Sequence, residues 1–210
     1  MGDQNQSGGE LERCRAALRE LHHSVKNHLQ VISSLLDLEA MRREHPEALA
    51  ALERSQQRIR AIALLHQHLD READPPGVAL GEYVAGLAAA VLRGQERIRL
   101  SLDIEPVTLS LKQAAPCGLL INELLDNCVK HAFAGGRRGE VAIRGRLLPE
   151  NTLELDVRDT GVGLPAQVDP RTAETLGLHL VSVLARQLRG SLEVFREGGA
   201  GFRIAFLQEA

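Results

Sequence analysis

A run of amide, carboxylate and basic side chains occupies residues 122–131. On a wheel of about 100° per residue, its polar members share one half of a helix: Asn122, Glu123, Asp126, Asn127, Lys130 and His131. Ordinary surface helices also divide this way. Amide and carboxylate oxygens, however, are ligands for a divalent cation, and basic side chains contact the phosphates that such a cation bridges. The segment therefore predicts one wall of a metal and phosphate site.

Asp159 is the second candidate, because it shares one face of a predicted strand with three apolar residues at a period of two: Leu153, Leu155 and Val157. A carboxylate on an inward face must find hydrogen-bond donors, or its desolvation is costly. Gly161 and Gly163 follow at once, and glycine lets a backbone approach a ligand closely. A glycine turn alone is usually a plain loop. Beside an inward aspartate, it predicts a site for the amino group of adenine.

A third candidate is the start of a predicted helix, where Gly177 and Leu178 follow Leu176. Backbone amides at a helix N-terminus suit phosphate, and glycine allows close contact. A simple capped helix explains the same residues taken alone.

His23 is a candidate of another kind. A long helix is predicted from about Glu10 to Arg43, with apolar positions at alternating steps of three and four: Leu11, Cys14, Leu18, Leu21, Val25, His28, Ile32 and Leu35. We call this stripe the seam. His23 lies about 180° from its centre, so it is expected to face water. A lone exposed histidine is ordinarily just a solvated side chain.

A second helix is predicted from Pro46 to about Arg71, because proline cannot continue the first one. Two amphipathic helices joined by a short turn form an antiparallel hairpin, and two hairpins make a four-helix bundle. The pattern therefore predicts a homodimer. The alternative is that the hairpin packs on the rest of its own chain.

Asp74-Pro75-Pro76-Gly77 is the clearest break in the sequence. We predict a flexible lead-in over residues 1–9, a dimerisation and phosphotransfer hairpin over 10–74, and a catalytic domain over 78–210. The catalytic part alternates helices (78–93, 113–133, 176–188) with strands (98–104, 107–111, 140–147, 152–159, 191–196, 201–207). The fold class is α+β, a helical hairpin followed by a two-layer α/β sandwich with a mixed sheet.

These segments together resemble a known family. His23-Ser24-Val25-Lys26-Asn27 is similar to the phosphoacceptor box of histidine kinases with the signature His-Arg-x-Lys-Asn, with Ser24 in place of arginine. Residues 55–69 are similar to that subfamily's second helix. The three candidate segments above resemble, in order and spacing, the N, G1 and G2 boxes of the ATPase superfamily shared by histidine kinases, gyrase, Hsp90 and MutL. The resemblance implies a Bergerat-type ATP-binding fold.

The resemblance also implies roles. Asn127 would be a Mg²⁺ ligand, and Glu123 would serve as base or hold metal-bound water. Lys130 and His131 would contact phosphate, with Asn122 in the same box. Asp159 would recognise adenine in a pocket shaped by Gly161 and Gly163, while Gly177 and Leu178 would meet the phosphates. Residues 164–176 would form a lid over ATP. Glu20, Lys26 and Asn27 would orient the ring of His23 or steady the incoming phosphate.

The implied activity is a two-component histidine kinase that autophosphorylates His23 from Mg-ATP and passes the phosphoryl group to an aspartate of a response regulator. An acidic residue follows the histidine in many such kinases, so Ser24 leaves the general base open. One rival is a phosphotransfer or scaffold protein without kinase activity. Another is an ATP-dependent switch of the anti-sigma-factor or gyrase type, which would not need the hairpin. The input is expected from a sensor domain of a longer chain or from a sensor protein.

Composition excludes other classes. A formal net charge of −3 in 210 residues gives no electrostatic case for nucleic acid. No apolar run approaches membrane-spanning length. Cys14, Cys117 and Cys128 have no metal or redox spacing, which favours reduced core thiols in a cytoplasmic protein.

Overall fold

The structure is a computed structural model that describes residues 16–17, 20, 24–25, 27–38, 45–70, 77–165, 168 and 176–209. The helices are α1 (described continuously over 27–38), α2 (Pro46–His68), α3 (Leu80–Val91), α4 (Leu111–Asn127) and α5 (Leu176–Gln187), and a π-helical turn, Cys128–Ala132, continues α4. The strands are β1 (Leu69–Asp70), β2 (Gly77–Ala79), β3 (Ile98–Ile104), β4 (Thr108–Leu109), β5 (Gly139–Leu148), β6 (Thr152–Asp159), β7 (Ser191–Phe195) and β8 (Gly201–Leu207).

Helices α1 and α2 contact each other through Asp37. Its Oδ1 accepts a hydrogen bond of 2.8 Å from Gln56 Nε2 and lies 3.6 Å from Arg60 Nη2. Helix α2 begins at Pro46, where proline loses no hydrogen bond because the first amides of a helix have no internal partner. These contacts agree with the predicted hairpin.

The C-terminal half of α2 packs on α3 and α4, within one hydrophobic core. Ala61 and Leu65 of α2 are buried beside Tyr83 of α3, whose hydroxyl donates a 3.1 Å hydrogen bond to the carbonyl oxygen of Ala61. Gly118 of α4 leaves the space that the Tyr83 ring occupies. The alternative packing, of hairpin against its own chain, therefore describes this half of α2.

A small antiparallel sheet, ordered β1-β2-β4, ties the end of α2 to the following chain. Leu69 pairs with Val78, and Val78 pairs with Leu109. The sequence analysis missed β1, since it continued the second helix to Arg71, and it placed β2 inside a helix starting at Val78. Strand β4 is also shorter than the predicted 107–111. Most of the break at 74–77 lies outside the described residues.

The larger sheet has the order β3-β5-β6-β8-β7 and is mixed, because β3 runs parallel to β5 while the other pairs are antiparallel. Its inner face packs on α3, α4 and α5 in two layers, through alternate residues of the three central strands: Val141, Ile143, Leu153, Leu155, Val157, Phe202, Ile204 and Phe206. The predicted two-layer sandwich is confirmed. Among the described residues, no helix combines the length and the apolar character that a membrane crossing requires.

Candidate nucleotide site

The polar side chains of α4 are buried. Asn122, Glu123 and Asp126 are 3%, 4% and 5% exposed, as well covered as the apolar residues between them. The helical wheel did not address burial, and this face is covered because α2 and α5 pack against α4. Buried amides and carboxylates need partners, so this segment is not the solvated face of an ordinary surface helix.

The start of α5 faces this segment at Gly177. A Cβ built on Gly177 would lie 3.3 Å from Glu123 Oε2 and 3.5 Å from Asn127 Oδ1. The N-box and G2-box residues are thus brought close together, and a side chain at Gly177 would crowd the carboxylate of Glu123. Leu178, the next residue, is buried in the core.

Two asparagine side chains of α4 have an unpaired amide nitrogen, and one of them, Asn127, lies beside Gly177. The Nδ2 atoms of Asn122 and Asn127 are buried and have no hydrogen-bond partner in the part of the chain that the structure describes. An unpaired buried donor costs about 1–3 kcal/mol. Phosphate oxygens are acceptors of the kind that these donors lack.

The oxygen atoms of Asn127 and Glu123 suit Mg²⁺, which is bound through one or two protein ligands together with phosphates and water. Over the described residues there is no group of three or more His, Cys, Asp or Glu side chains placed to hold a metal by themselves. Asn127 and Glu123 are therefore candidate ligands for a Mg²⁺ ion that is bound together with phosphates.

Asp159 lies inward at the end of β6 and is 7% exposed. Its Oδ1 accepts hydrogen bonds from the backbone amides of Gly161 and Ala200, at 2.8 and 3.3 Å. Its Oδ2 faces the Cys128 thiol at 3.8 Å. Burial, reinforced by the Asp159 charge, raises the pKa of Cys128, so this thiol stays protonated. The period-two prediction of an inward Asp159 is confirmed, and a carboxylate oxygen that faces one donor can still accept a further hydrogen bond.

The loop after Asp159 lies close to the π-helical turn. Val162 donates a 3.2 Å hydrogen bond to the carbonyl oxygen of Ala132, and a side chain at Gly161 would overlap Ala132. Gly163 has a φ of +79°, which favours glycine. Gly161 therefore permits a close contact between this loop and the π-helical turn, whereas Gly163 lies near Gly199, between β7 and β8.

Lys130 and His131 lie on the π-helical turn, where α-helical spacing no longer applies. Lys130 Nζ pairs with Asp126 Oδ2 at 2.6 Å, and His131 is exposed. Their phosphate contacts remain predictions.

The hairpin candidates are less fully described. His23 and Lys26 lie outside the described residues, as does Cys14. Glu20 and Asn27 are exposed helical residues. The seam residues Ile32 and Leu35 are 44% and 59% exposed, so they are not covered by the described part of the chain.

The sequence analysis missed Arg58. This α2 residue forms a two-point ion pair with Glu123, Nε to Oε1 at 2.7 Å and Nη2 to Oε2 at 3.1 Å. A second stripe on α2 could have revealed it, because Arg54, Arg58, Ala61 and Leu65 recur at steps of four and three. Two arginines in a stripe with apolar residues indicate a buried acidic partner.

Comparison with known proteins agrees with this geometry. Residues 20–94 match the family model described as histidine kinase, and residues 113–209 match that of the histidine kinase-, DNA gyrase B- and HSP90-like ATPases. The chain belongs to the histidine kinase family. Its ATPase region marks it as an ATP-binding member.

Two relatives are named histidine kinases. Blue-light-activated histidine kinase 2 of Erythrobacter litoralis is 30% identical over 91% of this chain and 56% of its own length. Sensor histidine kinase PdtaS of Mycobacterium tuberculosis is 34% identical over 84% of this chain and 36% of its own. The chain thus spans about half or less of the length of these relatives.

The fold is shared with the histidine kinase domain of a blue-light activated histidine kinase from Erythrobacter litoralis. The TM-score is 0.68 at 24% identity, over 93% of this chain and 94% of that domain.

Proposed function

We propose that this chain is the kinase core of a two-component system, which transfers the γ-phosphoryl group of Mg-ATP to His23 and then to an aspartate of a response regulator. The observation that supports this most strongly is the approach of Gly177 to Glu123 and Asn127, on the helix that also carries two buried and unpaired Nδ2 atoms, those of Asn122 and Asn127. A scaffold protein would not need buried, unpaired polar groups that lower its stability. The kinase function is therefore better supported.

Each site residue has a proposed task. Asp159 accepts a hydrogen bond from the amino group of adenine, while Gly161 and Gly163 shape the pocket around it. Asn122, Lys130 and the amides of Gly177 and Leu178 bind phosphate oxygens, with His131 at the rim. Asn127 and Glu123 hold Mg²⁺, which neutralises charge on the phosphates when bound.

We propose that the phosphoryl transfer is an in-line displacement. An unprotonated ring nitrogen of His23 forms the P–N bond, the bond from the γ-phosphorus to the bridging oxygen breaks, and ADP leaves. The proton on the other ring nitrogen goes to a carboxylate, for which Glu123 and Glu20 are the candidates. Lys26 and Asn27 orient the ring and the phosphoryl group.

Incubation with γ-labelled ATP and Mg²⁺ tests this proposal. Wild type is expected to gain label that is lost in acid and kept in base, and His23→Ala and Asn127→Ala are expected to lose at least about 99% of it, because each removes an indispensable group. His45→Ala, at an exposed histidine that directly precedes α2 and has no proposed role, is the matched control and should label normally.

Two results would contradict the proposal in different ways. Label that persists in His23→Ala would mean that another residue is the acceptor. Wild type that takes phosphate from a phosphorylated response regulator, but none from ATP, would establish the phosphotransfer alternative instead.

The proposed homodimer rests on the exposed apolar face of α1. Val31, Ile32, Leu35 and Leu38 are 44–59% exposed, while other residues of α1 contact α2. Such a stripe on one helix is covered well by a second hairpin. Free buried thiols at Cys117 and Cys128 fit the cytoplasmic location that we propose.

Leu35→Glu is expected to convert the dimer to monomer, raising the dimer dissociation constant at least about 100-fold, because the change buries a charge in the interface. Analytical ultracentrifugation measures it. Leu207→Glu is the control, since Leu207 is also 59% exposed but lies on the sheet. A dimer of unchanged affinity in Leu35→Glu would contradict this interface.

A further inference from the structure

Arg58 binds the carboxylate of Glu123, which the proposed kinase uses as a metal ligand. Both oxygens of Glu123 are engaged, at 2.7 and 3.1 Å, and the Glu123 side chain is only 5% exposed while that of Arg58 is 22% exposed. A two-point guanidinium–carboxylate pair is among the strongest contacts that side chains form. At this depth, salt and water screen the pair weakly.

The same oxygen atoms face the nucleotide gap. Glu123 Oε2, which accepts the Arg58 Nη2 hydrogen bond, is the atom nearest to the Cβ position of Gly177, at 3.3 Å. A buried carboxylate requires a positive partner, and either a guanidinium or Mg²⁺ with its bound water can provide it. Both cations at one carboxylate would repel each other at short range.

We propose that Arg58 is an autoinhibitory latch, which competes with Mg-ATP for Glu123 and holds the hairpin helix α2 against the ATP site until nucleotide is loaded. This inference rests on the proposed function of the site and adds its regulation. The helix that Arg58 holds belongs to the hairpin that carries the acceptor His23, so loading of the site and release of the acceptor hairpin are coupled.

The latch acts on the N-terminal part of α2 only. Beyond Arg58, the helix remains fixed by buried Ala61 and Leu65 and by the Tyr83 hydrogen bond to Ala61. Loss of the ion pair therefore releases the turns of α2 before Arg58 from the ATP site, while Gln56 keeps them bonded to α1 and the junction with α3 stays in place.

Arg58→Gln removes the charge and tests the latch by nucleotide affinity. With fluorescent ATP and excess Mg²⁺, we expect the dissociation constant to fall at least about fivefold, because a larger fraction of molecules is competent to bind. In EDTA the change should be less than about twofold. Arg58→Lys keeps the charge but not the two-point geometry, and its gain in affinity should be intermediate.

Arg60→Gln is the matched control. Arg60 lies on the same helix, has a side chain that is 59% exposed, and pairs with Asp37 of α1 rather than with the ATP site. The Mg-ATP affinity of Arg60→Gln should stay within about twofold of the wild-type affinity.

Hydrogen exchange supplies a readout independent of affinity. In wild type, Mg-ATP should speed amide exchange in residues 49–57 of α2, since opening of that segment sets its exchange rate. In Arg58→Gln, the same residues should exchange fast without nucleotide. If Arg58→Gln is too unstable to study, both the affinity and the hydrogen-exchange measurements can be made on Arg58→Lys.

The outcomes separate the latch from the kinase proposal. If Arg58→Gln binds Mg-ATP only as tightly as wild type does, or more weakly, the latch proposal is wrong. The proposed nucleotide site is not contradicted by that result. Failure of wild type and both Arg58 variants to bind ATP would overturn the nucleotide site and the latch together. Tighter binding only with Mg²⁺, with faster exchange in α2, would establish the latch.

Discussion

Asp159→Asn is expected to weaken ATP binding at least about 100-fold, because it replaces by a donor the charged acceptor that we propose for the adenine amino group. Asp159 Oδ1 accepts hydrogen bonds from the amides of Gly161 and Ala200, and an asparagine oxygen can keep both. The Oδ2 position then becomes an amide nitrogen. Two donors, this nitrogen and the adenine amino group, would point at each other.

Titration of the protein with ATP in a calorimeter measures this effect. The control is Asp103→Asn, since Asp103 pairs with Arg146 at the solvent-exposed side of β3. The fold should survive in both variants, because asparagine matches aspartate in shape. ATP affinity within tenfold of wild type in Asp159→Asn would place adenine elsewhere.

The second large effect concerns stability. Gly118→Ala is expected to lower the free energy of unfolding by about 2–4 kcal/mol, because its Cβ would overlap the Tyr83 hydroxyl and ring. Tyr83 is 1% exposed, and burial raises its pKa, so its neutral hydroxyl is the donor to Ala61. Moving the ring breaks that bond and the contact among α2, α3 and α4.

Urea denaturation of Gly118→Ala against Gly81→Ala isolates the overlap from helix propensity. Both glycines are helical, but a Cβ at Gly81 meets nothing within 4 Å. Gly81→Ala should therefore be neutral or stabilising by up to about 1 kcal/mol. If Gly118→Ala lowers the free energy of unfolding by less than about 1 kcal/mol, the Tyr83 ring can move aside at little cost, which would contradict this prediction.

The catalytic half of the fold was predictable because its strands alternate cleanly. The predicted bounds 98–104, 152–159 and 201–207 coincide with β3, β6 and β8. Period two also placed Asp159 inward. These signals are local, and each strand's inner face is buried by the same core, so the local pattern and the tertiary structure agree.

Burial of the α4 site was not predictable in the same way. A helical wheel shows which residues share a face, but it does not show what covers that face. Arg58 lies 65 positions before Glu123, and no local pattern joins them. The π-helical turn likewise arises after Asn127, where backbone contacts with the Asp159 loop set the geometry. The roles of the site residues remain predictions.

The pairing of β1 with β2 bears on how such kinases are recombined. A hairpin exchanged at the proline-rich break would carry away β1, with its buried Leu69, and the α2 residues Ala61 and Leu65 that fill the core. The recipient domain would lose one edge of its small sheet and part of its interior. If hairpins are exchanged between relatives, the two sequences should therefore be joined inside α2, before Arg58. Each ATP-binding domain then keeps the C-terminal half of its own α2.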